Sequence, residues 1–329
     1  MRIAVAGSIA TDHLMVFPGS FTDQLIADRL DKVSLSFLVD DLEVRRGGVA
    51  ANIAYGLGGL GLRPLLVGAV GSDFAEYRRH LEAHGVDTSG VLVSADRRTA
   101  RFMAITDRAL NQIAAFHSGA MAEAREIGIG AVLERAGDVG LVLVSPDDPA
   151  AMLRHTAECR ARRVPFAADP SQQLATLDGT RARALVEGAR WLFTNEYEAE
   201  LLRERTGWTE SEVLERAGAW VTTLGAEGVR IARSGRPVLT VPAVPTTAPA
   251  DPTGVGDAFR AGFLAAAGRG LTDRDAARLG CALATRALEA VGPQEYEVSP
   301  GALSAAVGRT YGTGAAAVFA PWLGSPAAV

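Results

Sequence analysis

The sequence predicts an α/β protein: a mostly parallel sheet covered by helices on both faces, with a second, smaller β-sheet standing on it. Three observations carry that reading. Short apolar runs alternate with helical segments along most of the chain, as expected for strands buried on both faces. Two stretches break this rhythm with half-exposed, alternating strands. The 329 residues, 48% hydrophobic and 22% charged, suffice to bury the core of one large domain carrying a small one.

Taken in order, Arg2 to Ala6 reads as a buried strand ending in Gly7-Ser8. Val33 to Val39 alternates like a half-exposed strand, and Leu42 to Arg45 continues it. Ala51 to Leu60 is helical, Leu65 to Val70 a strand, and Phe74 to His84 a helix with Asp73 placed as its N-cap. Thr99 to Ile105 and Gln112 to Phe116 form the second β-rich excursion. Leu141 to Val144, Phe166 to Ala168, Trp191 to Thr194 and Trp220 to Thr223 are short buried strands. Helices run from about Pro149 to Arg163 and from Glu196 to Arg205. A hairpin-like pair spans Gly228 to Arg233 and Val238 to Val241; the alanine-rich remainder is helical, with Gly324 to Val329 expected to fray.

Composition excludes several classes. A net charge of −5 argues against a nucleic-acid or anionic-membrane partner. No apolar run reaches the roughly 18 residues of a membrane span, and no signal peptide is evident, so a cytoplasmic protein is expected. Cys159 and Cys281 make neither a disulfide framework nor a ligand cluster. Lys32 is the single lysine, so Gly-Lys-Ser/Thr is absent and a Walker-type phosphate loop with it.

Two glycine motifs carry chemistry. Asp251-Pro252-Thr253-Gly254-Val255-Gly256-Asp257 opens onto an apolar helix. Its Gly254, Val255 and Gly256 amides can face an anion where the helix dipole favours one. Asp257 in the first turn repels a phosphate but suits a general base that takes a hydroxyl proton as a phosphoryl group arrives. The plainer alternative is a tight turn with Asp257 as helix cap. Gly47-Gly48-Val49-Ala50-Ala51-Asn52 is a second loop-to-helix entry, and it sets the Asn52 amide among small apolar residues. A sugar diol would give that amide the partners it needs.

With these motifs in this order, the chain resembles the ribokinase-like (PfkB) carbohydrate and nucleoside kinases. Asn195-Glu196-Tyr197-Glu198 matches the family's Asn-x-x-Glu, and Thr223-Leu224-Gly225-Ala226-Glu227-Gly228 its nucleotide loop. Gly7 to Leu14, Lys32 to Asp41 and Ala168 to Leu174 are similar, more closely, to the actinobacterial adenosine kinases. The resemblance implies a main domain of 1–12, 48–98 and 118–329, and a β lid of 13–47 and 99–117. It implies that Asp12, Gly48 and Asn52 hold the ribose and that Ser8, Ser36, Gln172 and Gln173 help place the nucleoside. Phe102 and Phe116 would enclose the purine, and Thr223, Gly225, Gly228 and Asn195 would meet ATP. Asn195 and Glu198 would hold Mg²⁺ through water. A K⁺ requirement is left open. The implied reaction is ATP-dependent phosphorylation of the adenosine 5′-hydroxyl. The exposed edges of a small lid sheet favour pairing with a second copy, so a homodimer joined through the lid is expected.

Where sugar kinases carry Asp-x-Asn-x-Arg, this chain has Asp169-Pro170-Ser171-Gln172-Gln173. That weakens a pentose-kinase alternative and leaves the γ-phosphate without its arginine; Arg181 and Arg183 are distant candidates. Gly56 to Gly61 fits Gly-x-Gly-x-x-Gly, the fingerprint of an NAD(P)-dependent oxidoreductase, but at a helix end rather than a helix start. His80 and His84 share a helix face and are expected to be solvated.

Overall fold

The computed structural model describes residues 1–24, 35–109 and 111–323. The main sheet has nine strands: β1 Arg2–Ala6, β4 Leu65–Val70, β5 Asp87–Val93, β8 Val139–Val144, β9 Phe166–Ala168, β10 Trp191–Asn195, β11 Trp220–Thr223, β12 Val229–Ala232 and β13 Leu239–Val241. Among the described residues the small sheet has four: β2 Ala10–Val16, β3 Asp41–Gly47, β6 Ala100–Thr106 and β7 Gln112–His117. The main sheet is ordered β13-β12-β11-β10-β9-β8-β1-β4-β5 and is parallel from β11 to β5. Only β12 and β13 run antiparallel, as the hairpin pattern predicts.

Both faces are covered. The helices Val49–Gly59, Val255–Gly268 and Asp273–Leu288 pack on one, around Ile3, Val5, Leu66 and Phe263. Those at Ile129–Ala136, Pro149–Arg162, Gly179–Val186 and Glu196–Thr206 pack on the other, around Ala4, Val67, Val142 and Leu192. Chain order runs outward from β1 in both directions, first to β4 and β5, then to β8 and beyond. Ligands in open α/β sheets bind at the carboxyl ends of strands beside such a reversal. No helix among the described residues is long and apolar enough to cross a membrane.

Four expectations need correction. Leu35 to Val39 is irregular rather than a strand. The small sheet instead takes β2, which begins at Ala10; its polar Thr11, Asp12 and His13 disguise it as a loop. Asp73 does not cap its helix, which starts at Ala75; it accepts instead from the amide and hydroxyl of Thr99, 2.9 and 2.7 Å away. His80 and His84 are half-buried, with their rings against Tyr55. The readings on Lys32, Val33 and Gly324 to Val329 lie outside the described residues.

The Gly56 to Gly61 run closes the Val49–Gly59 helix, as its position before a strand predicts. Its glycines serve packing: a Cβ on Gly56 would stand 2.7 Å from that of Ala261, and one on Gly58 would overlap the His84 carbonyl. No helix begins there to receive a dinucleotide pyrophosphate.

Candidate active site

Strand ends assemble the site. Ser8 follows β1, Asp169 follows β9, Asn195 ends β10 and Thr223 ends β11. Facing them is the N-terminus of the Val255–Gly268 helix, capped by Gly254 in the left-handed region at φ 77°. A Cβ on Gly254 would stand 2.5 Å from that of Pro293, so glycine serves both the turn and the close approach. Asp257 sits in the first turn and does not occupy the cap position, so the plainer reading of it as a cap does not hold.

Ser171, Asn195, Glu198, Thr223, Gly225, Gly256, Asp257 and Arg260 line one pocket of about 550 Å³. That size suits a small ligand. Burial pushes the Asp257 carboxyl up to about 6, with Glu198 adding to the rise; Arg260 and a 2.8 Å hydrogen bond from Asn52 Nδ2 oppose it. Asp12 is also pushed up to about 6, first by burial, then by Asp257 and Asp251 against the pull of Arg45. Two carboxyls of raised pKa thus face one cleft, a common property of reacting sites.

The small sheet presents a row to this cleft. Arg45, Asp12, Phe102 and Phe116 are register partners on β3, β2, β6 and β7, which puts them on one face. Phe102 is partly buried and Phe116 is 51% exposed, an open aromatic surface beside Asp12. Arg45 Nη1 reaches Asp251 Oδ2 at 3.0 Å, tying this sheet to the glycine loop. Gly47 and Gly48 let strand, loop and helix meet: a Cβ on Gly47 would stand 2.6 Å from Asp12 Oδ2, and Gly48 holds φ 93°. Ser8 Oγ accepts from the Val49 amide at 3.1 Å.

Asn195 and Glu198 form a capping box: each side chain accepts from the other's amide at 2.8 Å. Glu198 also accepts from Ser171 Oγ at 3.2 Å. No group of three or more His, Cys, Asp or Glu able to hold a metal occurs among the described residues. Asn195 and Glu198 bring oxygen donors to the pocket wall, the ligand type a hard cation takes.

Other expected residues lie apart. Gln173 donates to the Asp147 carbonyl at 2.8 Å, while Gln172 and Ser36 are exposed. Gly228, at φ 99°, shapes the turn into β12 and does not line the pocket. Arg181 pairs with Asp178, and Arg183 donates to the Thr206 carbonyl. The cation that does line the pocket is Arg260, one turn beyond Asp257. Its Nε lies 2.6 Å from Asp169 Oδ2, and Nη2 donates to Oδ1 at 2.7 Å. Burial raises the Asp169 carboxyl while Arg260 opposes the rise. Sequence reading missed Arg260 because it falls inside an apolar helical run; the lone charge in that run was the available signal.

Residues 10–299 match the model of the pfkB family carbohydrate kinases. The chain belongs to the pfkB family of carbohydrate kinases. A nucleoside kinase of Methanothermobacter thermautotrophicus is 30% identical over 286 residues, 86% of this chain and 91% of that one. The structure of Burkholderia thailandensis nucleoside kinase in complex with inosine aligns with TM-score 0.83 and 35% identity over 94% of this chain and 98% of that one. A Bacillus subtilis ribokinase is 26% identical over 272 residues, covering 82% and 86%. The mixed α/β architecture with a smaller second sheet is that of this pfkB family. As a pfkB-family kinase, the chain is a phosphotransferase acting on a nucleoside or sugar.

Proposed function

We propose that this pfkB-family kinase transfers the γ-phosphoryl group of ATP to the 5′-hydroxyl of adenosine, giving AMP and ADP. The observation that carries the reading is one constellation. Asp257 at a helix N-terminus is bonded to Asn52, and the row Asp12, Phe102, Phe116 stands across the cleft. Asp257 accepts the 5′-hydroxyl proton as the new O–P bond forms and the bond to the ADP oxygen breaks. Asp12, Gly48 and Asn52 hold the ribose, with Ser8 beside them. The first-turn amides of the Gly254–Gly256 segment and the Arg260 guanidinium meet the negative charge on the transferred group. Thr223 and Gly225 bound the nucleotide side of the pocket. Mg²⁺, held through water by Asn195 and Glu198, would supply charge neutralisation between the phosphates. K⁺ dependence is tested by omitting the ion.

The aromatic row supports a nucleoside over a free sugar, since stacking is worth about 1–3 kcal/mol per base. Support also comes from the Burkholderia relative, whose bound ligand is a purine nucleoside. We place the reaction in the cytoplasm, where ATP is made, and in a homodimer joined through the lid.

One acceptor panel tests this reading: kcat/KM with ATP and Mg²⁺ for adenosine, inosine, uridine, ribose and fructose. Adenosine is expected well ahead. Ribose ahead of adenosine overturns the nucleoside assignment. Inosine ahead of adenosine keeps the class and moves the acceptor.

A further inference from the structure

Behind the cleft, three side chains from separate elements form a continuous hydrogen-bonded chain. Tyr77, on the Ala75–Ala83 helix, donates from its hydroxyl to the Gly47 carbonyl at 2.9 Å. Gln294, in the loop after the Asp273–Leu288 helix, donates from Nε2 to the Tyr77 hydroxyl and to Asn52 Oδ1, the latter at 2.8 Å. Asn52 then donates from Nδ2 to Asp257 Oδ2 at 2.8 Å. Tyr77, Gln294 and Asn52 are 5%, 2% and 5% exposed, so water has little access to their polar groups.

The direction of this chain is fixed at both ends. The Gly47 carbonyl can only accept, which uses the single Tyr77 proton and leaves its oxygen as an acceptor. The ionised Asp257 carboxylate also only accepts, which turns the Asn52 amide nitrogen toward it and its oxygen away. Between two acceptors, only a group with two protons on one atom satisfies both. Gln294 presents such a group, while its own Oε1 faces the His80 ring, to which the side chain is also hydrogen-bonded. With both Nε2 protons spent on Tyr77 and Asn52, Gln294 is held between them by its donors.

We propose that Gln294, anchored through Tyr77 to the Gly47 carbonyl, is a positioning residue that locks the Asn52 amide in the orientation that aims Asp257 at the acceptor hydroxyl. Without it the Asn52 amide is free to turn, and its oxygen would then oppose the Asp257 carboxylate. Gly47 directly precedes Gly48 at the proposed ribose contact, so the relay ties acceptor site and base together. The inference rests on Asp257 acting as the base.

Wild type, Tyr77→Phe, Gln294→Met, Asp257→Asn and the Gln294→Met/Asp257→Asn double variant are compared. Expected for Tyr77→Phe and Gln294→Met is a fall in kcat of about 10- to 100-fold, the scale of misplaced catalytic groups, with ATP affinity unchanged. In the Asp257→Asn background, Gln294→Met should add less than about twofold, because the two act as a unit. A normal kcat with a lowered melting temperature overturns the proposal, as does a full Gln294→Met effect without Asp257. A second readout needs no turnover: the Asn52 side-chain amide NMR signals, identified by Asn52→Asp, should shift in Tyr77→Phe. Unshifted signals overturn the relay. Wild-type protein inactive on every nucleoside would instead fail the proposed function, leaving the relay to be judged on those signals.

Discussion

At Asp257 the carboxyl must stay ionised to take a proton, yet burial raises it to about 6. Asp257→Asn should lower kcat by roughly 10²–10⁴, the contribution of a positioned base, while ATP affinity measured by calorimetry holds or tightens. Turnover of the wild type should fall on the acid side of about pH 6. The stability effect has the opposite sign. Between the ordinary value of 3.8 and about 6, the folded state holds a proton that the unfolded chain has released. The raised group therefore costs stability at neutral pH and returns it as pH falls. Relative to wild type, Asp257→Asn should melt higher at neutral pH, with the gap narrowing toward pH 4; a gap that widens on acidification refutes the shift. Arg260 poses a harsher problem, because Asp169 beneath it is fully buried. Arg260→Met should destabilise by about 3–5 kcal/mol by stranding that charge. Asp169→Asn in the same chain should recover much of the loss without recovering turnover, by denaturant unfolding and kcat.

Caps and close approaches decide matters at the scale of the element. The Asn195–Glu198 box serves the Glu196–Thr206 helix whatever else it does. Glu198→Gln separates the two roles, since Gln can still accept from the Asn195 amide but loses the charge. The melting temperature should hold while the Mg²⁺ needed for half-maximal rate rises about tenfold; an unchanged Mg²⁺ dependence leaves Glu198 a cap alone. On the small sheet, Phe102→Ala should chiefly raise KM for adenosine, because a base stacks similarly in ground and transition states. An unchanged KM returns Phe102 to sheet packing.

Across the whole molecule, the small sheet has two unlike faces. Asp12, Arg45, Phe102 and Phe116 look to the cleft; the alternate rows, Leu42-Met15-Ile105-Ile113 and Val44-His13-Met103-Ala115, look away. Leu42, Val44 and Ile113 are 55%, 56% and 47% exposed, a cluster of apolar area rarely left to water. Light scattering should give a dimer mass for wild type and a monomer mass for Leu42→Glu/Ile113→Glu. A monomer mass for wild type removes the lid-to-lid assembly.

Periodicity and local chemistry by themselves determined much of this protein. Buried parallel strands announce themselves as short apolar runs, and a glycine loop opening onto a helix with an acidic first turn marks Asp257 wherever it folds. The order of the motifs gave the family expectation that residues 10–299 then matched. What the sequence hid has a physical reason in each case. The strand Ala10–Val16 sets Asp12 toward the cleft and Thr11 and His13 on its opposite face, so neither face shows the apolar row of a strand facing a core. Gln173 was expected at the nucleoside and turned to a backbone carbonyl, because its short 3₁₀ turn aims it at Asp147. Arg260 is a lone charge in an apolar run and Gln294 one polar residue of a polar loop, both silent until folding sets Arg260 beside Asp169 and Gln294 between Tyr77 and Asn52. Asn52 and Asp257 stand 205 positions apart in sequence and 2.8 Å apart in space. Local sequence fixes which elements form and which end of each can bind an anion; only packing across the sheet decides which side chains meet there, because those contacts join residues no local pattern connects.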